Sequence, residues 1–100
     1  LVASDGAISY ANIMRDYYSA AARKWDSFAR SPYLSFSSAQ PPDGCGYISY
    51  DDEQSIAEKA SYVKANGLGG VIEWEINEGY IAGASVPNPL LTAIAGQVLR

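Results

Sequence analysis

Apolar or small residues fall at Tyr10, Ile13, Met14, Tyr17, Tyr18, Ala21, Ala22 and Trp25. This i, i+3, i+4, i+7 spacing predicts one helix from Tyr10 to about Asp26. Ser9 is placed to cap it, because its hydroxyl can accept an orphan backbone N–H. Arg23 and Lys24 sit near its far end, where the dipole favours cations. Pro32 then introduces an extended segment, Tyr33 to Ser37, and Gln40-Pro41-Pro42-Asp43-Gly44 reads as a turn. Cys45 to Tyr50 follows, with Tyr47, Ile48 and Tyr50 as good strand formers. Two short strands around a Pro-Asp-Gly turn predict an antiparallel pair.

The pattern changes after Tyr50. Asp51 and Asp52 precede a helix predicted from Glu53 to about Asn66, with Ile56, Ala60 and Val63 as its apolar stripe. Either acid can cap it, and Asn66-Gly67 ends it. Leu68 to Ile76 reads as a strand with a glycine pair near its start. Asn77 to Pro89 reads as loop. Pro89 also suits the first turn of a last helix, whose stripe is Leu90, Leu91, Ile94 and Val98. Helix, strand, helix is the rhythm of a parallel α/β barrel or a doubly wound sheet. The first half does not follow it.

Composition narrows the chemistry. Of 100 residues, 48% are hydrophobic and 18% charged, which is globular rather than disordered. The net charge is −4 and the seven Lys and Arg are scattered, so nucleic acid is not an expected partner. No apolar run approaches the roughly 20 residues of a membrane span. Cys45 is the single cysteine and there is no histidine. That excludes an internal disulfide, a zinc site and any Ser-His or Cys-His nucleophile within the chain. No metal or cofactor is expected, and chemistry must come from carboxylates, Lys or Tyr. The chain opens at Leu1 in what reads as mid-loop, so a segment of a longer protein is expected.

Three stretches then fall in register. The first is Gly6-Ala7-Ile8-Ser9-Tyr10 with Ile13 one turn on. The second is Tyr47-Ile48-Ser49-Tyr50-Asp51-Asp52-Glu53-Gln54-Ser55-Ile56, followed by Lys59 and Tyr62. The third is Gly67-Leu68-Gly69-Gly70-Val71-Ile72-Glu73-Trp74-Glu75. Together, and with Pro32-Tyr33 between them, they resemble the end of a family 18 chitinase. The resemblance implies an α/β fold: the C-terminal part of a TIM (β/α)8 barrel plus part of the α+β insertion domain. Residues 1–47 would belong to that insertion domain and 48–100 to the last helix-strand-helix of the barrel. Three features depart from the family pattern. Asn77-Glu78-Gly79-Tyr80 stands where the family has an aspartate, Glu73 replaces an apolar residue, and Asp16 to Arg30 is long for the insertion helix.

What the family does follows by the same resemblance. It cleaves β-1,4 links between N-acetylglucosamine units with retention. A glutamate protonates the leaving oxygen, and the substrate's own N-acetyl group attacks the anomeric carbon, an exception to the two-carboxylate scheme. The acid lies in an Asp-x-x-Asp-x-Asp-x-Glu run on the fourth strand. No such run exists here, so no catalytic residue is assigned in this chain. The implied partners are chitin or chito-oligosaccharide and the remainder of the barrel, and the implied location is extracellular. On that reading the 100 residues are not a self-sufficient domain, because parallel barrel strands need neighbours on both edges.

Candidate residues each carry two readings. Glu73 and Glu75 lie two apart on a strand, roughly 7 Å, near the separation of an inverting carboxylate pair. Alternation places Trp74 opposite both, so a barrel-facing Trp74 would send them to the helix layer. Asp51 and Asp52 either touch sugar or cap the helix, and capping is what their position demands. Cys45 reads as a packed residue near a turn rather than a reactive thiol. Tyr10, Tyr17 and Tyr18 read as a core stripe rather than a carbohydrate platform. Trp74, matched to the tryptophan that ends the eighth barrel strand, is the candidate sugar floor. Its ring offers the apolar area on which a pyranose stacks, at the strand end where barrel sites form. Ile72 shares its face one layer deeper, beside the acetyl methyl or filling the barrel. Two other readings stand beside the enzyme: a chitinase-like lectin that has lost the acid, and an unrelated small α/β domain that binds a partner.

Overall fold

A computed structural model describes residues 8–38 and 41–99. The chain divides into two compact units, Leu1–Tyr50 and Asp51–Arg100. Gly6, Ala7 and Gln40, which entered the readings above, lie outside the described residues.

The first unit opens with α1 (Tyr10–Asn12), which continues as π-helical turns over Ile13–Tyr17. Ser9 caps it as expected, its hydroxyl accepting the Asn12 N–H at 3.1 Å. The helix does not reach Asp26. It closes with Tyr18 N–H donating to the Ile13 carbonyl at 2.8 Å, and Tyr18 itself is extended. Ser19 then draws the chain into a turn: its carbonyl accepts from Ala22 and Arg23, and its hydroxyl from Ala22. Such local bonding is how serine diverts a backbone from a helix.

The predicted C-terminal half of that helix is instead strand β1 (Arg23–Asp26). It pairs antiparallel with β2 (Ser31–Ser35), Arg23 opposite Leu34 and Asp26 opposite Ser31. β3 (Tyr47–Ser49) pairs antiparallel on the other side of β2, with Leu34 opposite Ile48. The sheet order is β1-β2-β3. Two devices close the β1–β2 hairpin. Asp26 Oδ1 accepts from the Phe28 and Ala29 N–H groups, each at 2.9 Å, and Arg30 takes a positive φ of 54°. The β2–β3 pair was the expected one. Its connection carries a 3-10 turn, Pro42–Gly44, in which Asp43 and Gly44 adopt φ of 50° and 73°.

Ile13, Ala22, Leu34 and Ile48 form this unit's core, with Leu34 at 0% exposure. Tyr17, Phe36, Cys45 and Tyr50 pack around it. The tyrosine stripe therefore divides: Tyr10 is buried, Tyr17 joins the core and Tyr18 is exposed. Tyr17 also donates its hydroxyl to Asp43 Oδ2 at 2.7 Å. That bond to a carboxylate, with partial burial, pushes the phenol up to about 12.

The second unit follows expectation at both helices. α2 (Glu53–Ala65) is capped by Asp52, and Gly67 at φ 61° follows its C-cap Asn66. Ile56 and Ala60 are buried along its stripe. α3 (Pro89–Val98) has Pro at its first position and packs against α2, and its Leu90, Leu91, Ile94 and Val98 are half-buried. Leu68 to Ile76 is where expectation fails. Among the described residues it joins no ladder. Gly70 at φ 150° interrupts its start, and Ile76 opens a 3-10 turn, Ile76–Gly79. A parallel strand forms only against neighbours, and this unit supplies none. Among the described residues no helix is long and apolar enough to cross a membrane.

Candidate functional site

The site candidates lie on the segment between α2 and the 3-10 turn. Ile72 is 96% exposed and Trp74 91% exposed. Ile76, next on the same alternation, is 55% exposed. Glu73 and Glu75 are half-buried. Val71, Ile72, Trp74 and Ile76 are thus open to solvent, whereas Glu73 and Glu75 are half-buried. The Trp74–Glu75 peptide is cis. A free tryptophan face with an isoleucine beside it can stack on the C–H face of a sugar.

Beyond Trp74 the backbone is tied down. Asn88, the N-cap of α3, donates through Nδ2 to the Ile76 carbonyl at 2.7 Å. Its Oδ1 accepts the Leu91 N–H at 3.1 Å. The Ile81 N–H donates to the Pro87 carbonyl at 2.7 Å and closes the base of the same loop. Gly79 is buried beneath the Asn88 side chain, so closely that a Cβ there would meet Oδ1 at 2.6 Å. Sequence reasoning marked Pro89 and missed Asn88. The available signal was an asparagine immediately before a first-turn proline, the composition of a capped helix start.

Asp51 and Asp52 are committed to the start of α2. Asp52 Oδ1 accepts from the Gln54 and Ser55 N–H groups, each at 3.0 Å, and its own N–H donates to Ser55 Oγ at 3.0 Å. Asp51 accepts both the Ser55 hydroxyl at 2.8 Å and the Lys59 ammonium at 2.6–2.7 Å. Capping thus occupies the carboxylate of Asp52, and an ion pair that of Asp51. Cys45 lies half-buried in the first unit, its thiol donating to the Tyr47 carbonyl at 3.2 Å. No group of three or more His, Cys, Asp or Glu is disposed to hold a metal among the described residues.

Comparison with known proteins gives this geometry its context. The chain is 39% identical over 83 residues to a probable endochitinase of Caenorhabditis elegans, a match covering 78% of this chain and 12% of that protein. Among solved structures it resembles a family 18 N-acetylglucosaminidase from Paenibacillus barengoltzii, with TM-score 0.68 and 33% identity over 91% of this chain and 24% of that one. It also resembles chitinase ChiA74 from Bacillus thuringiensis, with TM-score 0.69 and 28% identity over 91% of this chain and 14% of that one. The chain therefore spans a quarter or less of each of these proteins. Residues 2–79 match the sequence model of glycosyl hydrolases family 18, and the chain belongs to that family.

Proposed function

We propose that this chain is the C-terminal portion of a chitinase, residues 1–47 from its α+β insertion domain and 48–100 from the last helix-strand-helix of its (β/α)8 barrel. The complete enzyme hydrolyses β-1,4-N-acetylglucosamine links of chitin by the substrate-assisted retaining route, with its acid on the fourth strand outside these residues. Its setting is extracellular, where the polymer is. The names of the matched proteins, an endochitinase and an N-acetylglucosaminidase, support this substrate class. The observation that carries the role of this segment is the bare Ile72–Trp74 face. An indole with 91% of its surface exposed has no packing role in its own unit. Stacked under the sugar at the cleaved bond, it contributes affinity, and it leaves room only for a ring distorted toward the transition state. Ile72 forms the apolar wall beside it.

The test is Trp74→Ala in the complete protein, measured by thermal melting with and without chito-oligosaccharide. The mutant is expected to keep its unliganded melting temperature and lose most of the ligand-induced rise, together with turnover. An unchanged ligand shift would remove Trp74 from the site. Hydrolysis of the oligosaccharide by the unmutated protein separates the enzyme from a lectin that only binds it.

A further inference from the structure

We infer that Asn88 is a positioning residue for Trp74, and that Gly79 is a glycine so that Asn88 can act in this way. The inference rests on Trp74 being a sugar-contact residue. An indole 91% exposed is not held by packing around its ring. Within this unit its position is set by the backbone, which is tied two residues further on. There the Asn88 Nδ2 holds the Ile76 carbonyl at 2.7 Å. Only Glu75 lies between this tie and Trp74. The other end of the same carboxamide is anchored in the first turn of α3 through the Leu91 N–H. One planar group therefore joins the end of the Trp74 segment to a ten-residue helix. Gly79 supplies the seat: with a Cβ at 2.6 Å from Oδ1, the carboxamide could not stay where it reaches both partners. Sites hold their geometry when supporting hydrogen bonds lock the groups behind them.

The two duties of Asn88 can be separated. Asn88→Asp keeps an oxygen for the Leu91 N–H, and Asp is as good an N-cap as Asn. It loses the only donor that the side chain offers to Ile76. The experiment uses the complete protein and a soluble N-acetylglucosamine oligomer, comparing Trp74→Ala, Asn88→Asp, the double variant and Gly79→Ala by dissociation constant and melting temperature. Asn88→Asp should lower the melt by no more than the roughly 1–2 °C that one lost hydrogen bond is worth, and should weaken oligomer binding severalfold as Trp74 loses its fixed position. Gly79→Ala should weaken binding similarly. With Trp74 already replaced by Ala, Asn88→Asp should weaken binding less than about twofold, because residues that act through one shared backbone segment couple. Equal weakening in both backgrounds would overturn the positioning role, as would a lowered melt with unchanged affinity. If Trp74→Ala itself leaves affinity unchanged, the sugar-contact reading falls and this role with it. A loss in Trp74→Ala beside a neutral Asn88→Asp overturns the positioning role alone.

Discussion

Replacing Asp52 by Ala removes one carboxylate and strands two donors. Asp52 is 8% exposed, and its Oδ1 serves both the Gln54 and Ser55 N–H groups. Loss of an N-cap typically costs about 1 kcal/mol, up to about 2. The upper figure applies here, because two N–H groups lose their acceptor together. For a complete protein about four times this chain's length, about 2.1 cal/mol/K per residue gives roughly 1 °C per kcal/mol, so the melt should fall by about 2–3 °C. Asp51→Ala breaks an exposed ion pair, worth about 0.2–1 kcal/mol. The Ser55 hydroxyl keeps the Asp52 carbonyl within 3.0 Å. That variant should lose at most about half as much. Asp52→Asn should restore nearly everything, since asparagine caps as well. Thermal melting of the three variants in the complete protein decides the order, and kcat/KM measured well below the melt should move less than about threefold in each. A loss in Asp51→Ala exceeding that in Asp52→Ala, or an Asp52→Asn substitution as damaging as Asp52→Ala, would refute the capping argument. A hundredfold loss of rate at an unchanged melt would place a carboxylate on the substrate.

Two further expectations concern titration and charge. Tyr17 titrates above its ordinary value of 10, at about 12, because its protonated hydroxyl donates to Asp43. A group whose pKa is raised by folding stabilises fully below its unfolded value and loses that contribution as pH climbs through the folded one. The stability advantage over Tyr17→Phe should therefore hold up to about pH 10 and shrink toward pH 12, and phenolate absorbance should show one late-titrating tyrosine that the variant lacks. Separately, Glu73→Gln and Glu75→Gln should each cost less than roughly tenfold in rate. Removal of a general acid typically costs ~10²-fold or more, so a thousandfold loss in Glu75→Gln with the fold intact would make it the acid.

What was legible in the sequence is what local chemistry decides. Asp52, Asn66-Gly67 and Pro89 mark helix ends by capping rules that act within one turn, and α2 and α3 begin and end there. Pro-Asp-Gly marked the β2–β3 connection for the same reason. β1 was hidden because Tyr17, Tyr18, Ala21, Ala22 and Trp25 carry helical spacing by accident of composition. Of these, Tyr18 and Ala21 are exposed, and what fixes Arg23–Asp26 is pairing with Ser31–Ser35, a contact no spacing reports. The different exposure of Trp74 and of Glu73 and Glu75 is visible only in the structure, since the segment forms no strand whose alternation could set it. The hold of Asn88 on Ile76 and Gly79 was not legible either, since it joins residues 9 to 12 apart through a side chain.

The segment from Leu68 to Ile76 is the one place where composition and structure disagree in kind. Val71-Ile72 beside a glycine pair has the makeup of a strand covered on both faces, as parallel strands are. Here Ile72 is 96% exposed and no ladder forms among the described residues. An isolated exposed leucine or isoleucine is ordinary on any surface. A run with Val71, Ile72, Trp74 and Ile76 all open to solvent is different, because contiguous apolar patches mark surfaces meant to be covered. A parallel strand also takes its ladder bonds from neighbours, and among the described residues this segment has none. Both demands point to strands on either side, and both agree with a chain that spans at most a quarter of the solved proteins it resembles. Barrel neighbours would bury Val71 and the deeper part of the Ile72 face. On the proposed reading Trp74, nearer the C-terminal end of the segment, remains at the rim where barrel enzymes bind substrate. On the proposed reading the same bare face is one site along its length: Ile72 walls it from the barrel side, and Trp74 is its floor.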